Sequence, residues 1–450
     1  MKKISCFWPP RKLSSISQKV ISNTSWLVAQ RALKIVVGFA ISVWLARYLG
    51  PQNFGIYNYS IAYVAIFGSF SSLGLKGIIV REIVHEPHNE GDILGTTFIL
   101  RLMGGFLGLS LTLLVGFILS PESPSTRLII LIISFNLLFK SIDFIDFYFQ
   151  SKIKSKYTVY ANSFALFLGT SLKIILIKFN APLMYFALVL VLENILLSIS
   201  TLIAYQKVSH RLRSWKINLH RAKHLLTQSW PLVLSQIGVV IYFKIDQIML
   251  AKITNPEIVG IYSVAAKVSE SGYFIPSFIM ASVFPVLLST KQKSSEEYNK
   301  RFQELYILMA ILATFFIIPG TFLANPLISV LYGSEFKGAS EIFIVHIWSS
   351  FFVFQGAVLS KWLISEGILK FSFIRHWLGA TINILLNLVL IPQYGAMGAA
   401  IATVIAYAMA SYFACFLKAE TRVAGGMMTR AMIYPIYPIL RSLRLSAQKK

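Results

Sequence analysis

The sequence predicts an all-α polytopic membrane protein: about twelve transmembrane helices in two pseudo-symmetric six-helix lobes around a central cavity. Three observations predict it. The 450 residues are 56% hydrophobic and only 13% charged, whereas a soluble domain carries about 25% charge. Apolar runs of the roughly 20 residues that a helix needs to cross ~30 Å of hydrocarbon recur twelve times, without the alternation of a β-barrel. One stretch also returns. Residues 25–57, SWLVAQRALKIVVGFAISVWLARYLGPQNFGIY, reappear as residues 229–262, with Ser-Trp, Ala-Arg/Lys, x-Pro and Gly-Ile-Tyr in the same order at an offset of 204 to 205.

The runs lie near 23–46, 57–80, 96–119, 127–149, 158–178, 183–205, 228–252, 259–289, 302–323, 341–363, 371–391 and 396–418, numbered below as passes 1 to 12. Lys361, Glu366 and Lys370 crowd the junction of passes 10 and 11. Basic residues gather in alternate loops: Lys152, Lys154 and Lys156; Lys207, Arg211, Arg213, Lys216, Arg221 and Lys223; Lys291, Lys293, Lys300 and Arg301. The positive-inside rule places these loops and both termini in the cytoplasm, in agreement with an even number of passes. The net charge of +24 then reflects loops facing an anionic leaflet and not a nucleic-acid partner.

The chain divides into a cytoplasmic N-terminal tail, 1–22, without a cleavable signal pattern; an N-lobe, 23–205, with passes 1–6; a basic cytoplasmic linker, 206–227; a C-lobe, 228–418, with passes 7–12; and a basic cytoplasmic C-terminal tail, 419–450. Both copies of the repeat open their half from the same side, so the halves are parallel repeats about an axis near the membrane normal. A fainter echo joins 172–177 to 386–391. Cys6 and Cys415 have no spacing suited to a disulfide or a metal. The loops are too short for a catalytic domain, and no Walker loop, nucleophile elbow or HExxH appears. We therefore expect no enzyme, no catalytic residues and no bound metal or cofactor beyond a coupling Na+ or H+.

An ionisable side chain inside the membrane costs about 2.5–3.5 kcal/mol on insertion scales, so it faces water or a partner. In pass 1, Arg31, Lys34, Gly38 and Ser42 share one face; they line a wet cavity, or the cations snorkel. In pass 4, Asn136, Lys140, Asp143 and Gln150 share a face beside Asp146, and Lys140 and Asp143 are spaced to pair. Lys173 and Glu193 face a pairing across passes 5 and 6 or a role in cargo binding. Lys244 and Asp246 point apart, so Asp246 needs water, an ion or another helix, while Lys267 and Glu270 are spaced to pair. Pro276, Pro285 and Pro319 should kink passes 8 and 9, as hinges or as static bends. Asn383 and Asn387 share a face, to bind a cation or to bond across helices, and Gly398-Ala399-Ala400 before Thr403 and Tyr407 suits close packing. In the first half, Arg31, Lys34, Lys76, Arg101, Lys140 and Lys173 outnumber Asp143, Asp146 and Glu193. An unneutralised cationic interior suits an anionic cargo, which makes these six cations the substrate-binding candidates. The acids, with Asp246 and Glu270, are candidates for ion coupling or gating.

Residues 46–57, ARYLGPQNFGIY, together with Asp246-Gln247-Ile248-Met249-Leu250 through Gly260-Ile261-Tyr262-Ser263-Val264-Ala265, and with Ile391-Pro392, Tyr394-Gly395, Gly398-Ala399-Ala400 and Thr403, resemble the Wzx-type O-antigen and polysaccharide flippases of the multidrug/oligosaccharidyl-lipid/polysaccharide exporter superfamily. The resemblance covers nearly the whole chain. It implies that undecaprenyl-pyrophosphate-linked oligosaccharide repeat units of O-antigen, capsule or exopolysaccharide are moved across the bacterial inner membrane by alternating access, coupled to an ion gradient. The implied partners are that lipid-linked oligosaccharide, membrane lipids and other polysaccharide-assembly membrane proteins. By likeness to exporters with a cation site in passes 7, 11 and 12, the resemblance points to Asp246, Asn383, Asn387 and Thr403; proton coupling through Asp246 or Glu270 stays open beside it. The alternatives are a drug or small-molecule exporter of the same superfamily and, disfavoured by the short loops, a membrane glycosyltransferase or polymerase.

Overall fold

The protein is represented by a computed structural model that describes residues 15–119, 123–209 and 214–434. Residues 1–14, Arg211, Arg213 and 435–450 lie outside the described residues. Helix α1 (Ser15–Ser72) holds pass 1 and most of pass 2, which α2 (Lys76–His85) completes. Pass 3 is α3 (Glu90–Leu119), and pass 4 is assembled from α4 (Pro124–Ser134), α5 (Asn136–Phe139) and α6 (Ile145–Ser151). Helices α7 (Lys156–Lys178), α8 (Leu183–Ser209) and α9 (Leu219–Ile253) are passes 5, 6 and 7. Pass 8 is split into α10 (Pro256–Glu270) and α11 (Phe274–Lys291), and pass 9 is α12 (Ser295–Phe322). A short α13 (Ala324–Tyr332) precedes α14 (Ala339–His346) and α15 (Ser349–Glu366), which form pass 10. Helix α16 (Leu369–Ser411) carries passes 11 and 12, and α17 (Arg422–Ile433) follows.

Ten of these stretches are long and apolar enough to cross a membrane. Two of them turn back on themselves, which yields the twelve crossings. The turns lie at Gly50 (φ 68°, ψ 172°) and Gly395 (φ 55°, ψ −131°), conformations open essentially to glycine alone. After the first turn Ile41 and Leu45 of pass 1 line the same pocket as Tyr57 and Ile61 of pass 2. The repeat's second copy turns differently. Asn255 caps α10, its side chain accepting from the Ile258 N–H at 3.0 Å, and Pro256 takes the first helical position. Gly367, left-handed at φ 75°, ends α15 and separates passes 10 and 11. Pass 8 breaks between Glu270 and Phe274, just before Pro276, whose missing N–H cannot continue the helix.

One buried core runs through both lobes and continues down the C-lobe to Tyr298, Trp362 and Met428 at the basic-loop end. It joins Leu45, Phe54, Tyr57 and Val64 to Leu250, Val259, Tyr262 and Val264. A separate cluster sits at the basic-loop end of the N-lobe, around Ile79, Ile93, Phe144 and Phe149. The lobes also meet toward the basic-loop end, where Ser72 Oγ donates to Gln236 Oε1 at 2.5 Å and Arg81 Nη2 donates to Gln228 Oε1 at 2.5 Å. The linker is not a slack tether. Trp215 packs against Phe98 and Phe144 with ring centres 5.8 and 5.5 Å away, and Asn218 donates its N–H to Thr96 Oγ1 at 3.0 Å. Within the segment expected as a C-terminal tail, α17 buries Ala424, Met427, Met428 and Ala431, spaced at helical period.

Candidate functional site

A cavity of about 720 Å³ opens in the N-lobe, framed by all six of its passes and by α9. Lys34, Lys76, Arg101 and Lys140 line it, with Asp143 and Asp146 as its acids and Asn162, Asn194 and Gln236 as neutral polar groups. Pass 4 explains how so much charge reaches one place. Its helix breaks after Ser134 and runs through a 3₁₀ stretch, Lys140–Phe144. Irregular backbone at membrane depth persists only where its carbonyls find donors. Here Ser71 Oγ donates to the Leu137 carbonyl at 2.7 Å, Ser198 Oγ to Phe139 at 3.0 Å, and Arg101 Nη2 to Lys140 at 2.8 Å. Three neighbouring passes therefore hold the break open, and the break turns Lys140, Asp143 and Asp146 into the cavity. Arg101 also donates from Nε to the Ser71 carbonyl at 3.2 Å and stacks over Phe147 at 5.6 Å, leaving its buried Nη1 without a partner.

The structure sorts the expected residues. Lys140 and Asp143 both line the cavity but form no ion pair among the described residues, although the 3₁₀ stretch they share brings positions three apart onto one face. Asp146 accepts from Gln150 Nε2 at 2.8 Å. Lys173 does pair with Glu193, at 2.6 Å, so its charge is neutralised across α7 and α8. Arg31 is exposed and does not line the cavity, one turn of α1 before Lys34, which does. Lys267 does not pair with Glu270. It donates to Ser42 Oγ at 2.8 Å and lies 4.6 Å over the Phe54 ring, tying the C-lobe to the N-lobe. Lys34, Ser42, Lys267 and Glu270 together border a smaller pocket between α1 and α10. Sequence reasoning passed over Asn162, Asn194 and Gln236, whose signal was a polar side chain inside an apolar run. It also passed over Arg375, which is buried in pass 11 and donates to Ser360 Oγ at 2.8 Å.

A second polar centre lies in the C-lobe. Asp246, 4% exposed, accepts from Asn387 Nδ2 at 2.6 Å, from Thr403 Oγ1 at 2.7 Å and from the Tyr262 hydroxyl at 2.9 Å. Asn387 also bonds Asn383. The donors come from α10 and from both arms of α16, so the Gly395 turn is what brings Asn387 and Thr403 onto one carboxylate, with Asn383 behind Asn387. Asn387 Oδ1 and Asn383 Nδ2 are buried without partners. The centre is rich in oxygen, including one orphaned acceptor, and a hard monovalent cation or a proton fits that donor set.

The end opposite the basic loops is shut. Gly55 and Gly260, equivalent in the repeat, cross there backbone to backbone: a Cβ on Gly55 would lie 1.7 Å from the Pro256 carbonyl oxygen, and one on Gly260 would lie 2.0 Å from that of Pro51. Arg47 Nη2 donates to the Val330 carbonyl at 2.7 Å, and Phe54 meets Phe336 edge-on at 6.1 Å.

The profile of the polysaccharide biosynthesis protein family matches residues 20–291, and that of the MatE family matches residues 231–389. A capsular polysaccharide biosynthesis protein, CapF of Staphylococcus aureus, is 21% identical over 402 residues, which cover 88% of this chain and 98% of that one. A putative O-antigen transporter of Shigella flexneri is 23% identical over 398 residues, 85% of this chain and 93% of that one. Among solved structures, the lipid II flippase MurJ in an inward closed conformation superposes with a TM-score of 0.71 at 16% identity, over 93% of each chain. Its fold is the one described above, and the Shigella relative and MurJ are both named for transport. The chain belongs to the polysaccharide biosynthesis protein family.

Proposed function

We propose that this protein moves an undecaprenyl-pyrophosphate-linked oligosaccharide from the cytoplasmic to the outer leaflet of a bacterial inner membrane. Its termini and basic loops would be cytoplasmic, and an ion gradient would supply the drive. The observation that carries the reading is the N-lobe cavity, in which Lys34, Lys76, Arg101 and Lys140 exceed Asp143 and Asp146. In a low-dielectric wall such an excess attracts a diphosphate strongly. Arg101, which lines the cavity and keeps Nη1 without a partner, can supply a donor to such an anion, and Asn162, Asn194 and Gln236 suit the hydroxyls of the first sugars. The lipid tail stays in the bilayer.

In this reading the closed Gly55–Gly260 crossing represents the cytoplasm-facing state. Cargo in the N-lobe and an ion at Asp246 in the C-lobe bias the exchange toward the outward-facing state; each does so only by its difference in affinity between the two. The coupling ion is Na+ or H+, with Asp246, Asn383, Asn387 and Thr403 as its site and Glu270 as a second carboxylate for proton coupling. Lys173 and Glu193 act as a scaffold pair, and Arg31 draws anionic cargo or lipid at the cavity's approach. The MatE match supports drug export as a second reading, but this cavity repels cationic compounds.

The test is a Lys34→Gln/Lys140→Gln double variant in cells whose surface polysaccharide depends on this protein. We expect polysaccharide to fall by about tenfold or more, two charged contacts being lost, with lipid-linked repeat units accumulating. Normal polysaccharide at unchanged protein level would overturn the proposal.

A further inference from the structure

Outside the transport cavity, a pocket of about 870 Å³ opens at the basic-loop end of the C-lobe, where α11, α12, α15 and α16 end and the segment before α17 begins. It lies at the depth of lipid headgroups, since every one of its lining residues sits at a helix end on that face. Its charges are not all matched. Lys291 pairs with Glu366 Oε1 at 3.0 Å, and the Tyr298 hydroxyl donates to the same oxygen at 2.6 Å, so that acid's charge is matched by Lys291. Lys370 and Lys418 are exposed, and their ammonium groups have no ion pair or hydrogen bond among the described residues; Glu420 is the remaining acid. Trp362 supplies an independent sign. Its side chain lines the pocket and is 4% exposed, yet its indole N–H has no partner. A buried N–H of this kind is costly unless an acceptor meets it. The outer lip adds apolar surface: Leu369 is 60% exposed and Val423 51%.

We propose that this pocket binds the phosphate headgroup of an anionic phospholipid, distinct from the transported cargo. The indole N–H of Trp362 donates to a phosphate oxygen, Lys370 and Lys418 balance the charge, and the acyl chains lie along Leu369 and Val423. An amphiphile fits better than a free phosphate because the cations and the exposed apolar lip adjoin at the membrane interface. The proposal stands independently of the transport reading.

The experiment uses the purified full-length protein, stripped of lipid in a neutral detergent. Phosphatidylglycerol is titrated against phosphatidylcholine, and retained lipid is read by native mass spectrometry. We expect one tightly held phosphatidylglycerol and no such phosphatidylcholine. Trp362→Phe, which keeps the packing and removes the donor, should weaken retention about tenfold. Lys370→Gln/Lys418→Gln, on exposed sites that leave the fold untouched, should weaken it by about 25-fold, near a factor of five per interfacial lysine. Equal retention by the parent and both variants would overturn the proposal. So would loss of retention in Lys34→Gln/Lys140→Gln alone, which would place the lipid in the transport cavity. Competition by inorganic phosphate without lipid selectivity would overturn the lipid assignment.

Discussion

Gly55 and Gly260, 205 residues apart, face each other across the two lobes, and each lies against the proline carbonyl that opens the other's helix. The contact is reciprocal because Pro51 and Pro256, like the two glycines, are repeat equivalents. It places the pseudo-two-fold axis through the seal at the end away from the basic loops.

Substituting either glycine should unseat that seal. A methyl at Gly55 meets a backbone oxygen, which cannot rotate away as a side chain does, and overpacking of this kind costs about 1–3 kcal/mol. The state with the lobes parted at this end should gain roughly 5- to 150-fold in population. Spin labels placed at residues 47 and 330 should report longer distances in Gly55→Ala than in the parent. An unchanged distribution would mean that the crossing does not set the conformational balance.

Asp246→Asn should abolish stabilisation by the coupling ion. A ligand at a hundred times its dissociation constant stabilises the folded state by about 2.7 kcal/mol. Melting of the parent in detergent should therefore rise with either Na+ or acidification, whereas the variant's should not. An equal rise in both proteins would move the coupling site elsewhere.

The Lys173–Glu193 pair is largely shielded, with side-chain exposures of 12% and 20%. Removing only the lysine strands a carboxylate within the membrane. A fully buried break costs about 3–5 kcal/mol; with this exposure and its screening, Lys173→Ala should cost about 1–3 kcal/mol. Lys173→Ala/Glu193→Ala should recover most of that loss. Chemical unfolding of the single and double variants measures the coupling, and additive effects would argue against an ion pair.

At the basic-loop end, Arg221 reaches Glu82 at 2.9 Å and Glu86 at 2.6 Å, clasping the start of α9 to α2. Hydrogen bonds from Arg221 and Asn89, and the charge of Arg221, hold the Glu86 carboxyl below the ordinary value of 4.5. A depressed folded pKa stabilises the clasp above the unfolded pKa and loses that contribution as pH falls through the folded value. Proteolysis of the linker should thus speed up on acidification below about pH 4.5, and Glu86→Gln should flatten the dependence. An identical pH profile in the variant would remove Glu86 from the clasp.

Several features of the site were legible in local spacing. Lys34, Gly38 and Ser42 do share a face of α1 that borders a pocket with Lys267 and Glu270. Asn383 and Asn387 do sit one turn apart, and Asp246 does find its partners on other helices. Local spacing misled at Lys140–Asp143 and Lys267–Glu270, where it promised pairs. In the first case, both side chains line the cavity without an ion pair between them; in the second, Ser42 of the other lobe takes the ammonium. Arg31 shares Lys34's face by period, yet it stands outside the cavity because the wall ends before its turn of the helix.

By itself, the sequence determined the membrane class, the number of crossings, the repeat and the residues that carry charge into the bilayer. Those properties follow from hydrophobic length and helical period, which are local. Only the tertiary structure decided which charges are neutralised and which remain open to a cavity, and at which end Gly55 and Gly260 seal the lobes. Such outcomes depend on how helices distant in sequence rotate and break against one another, and on which donors reach a carbonyl or carboxylate that no local pattern can satisfy.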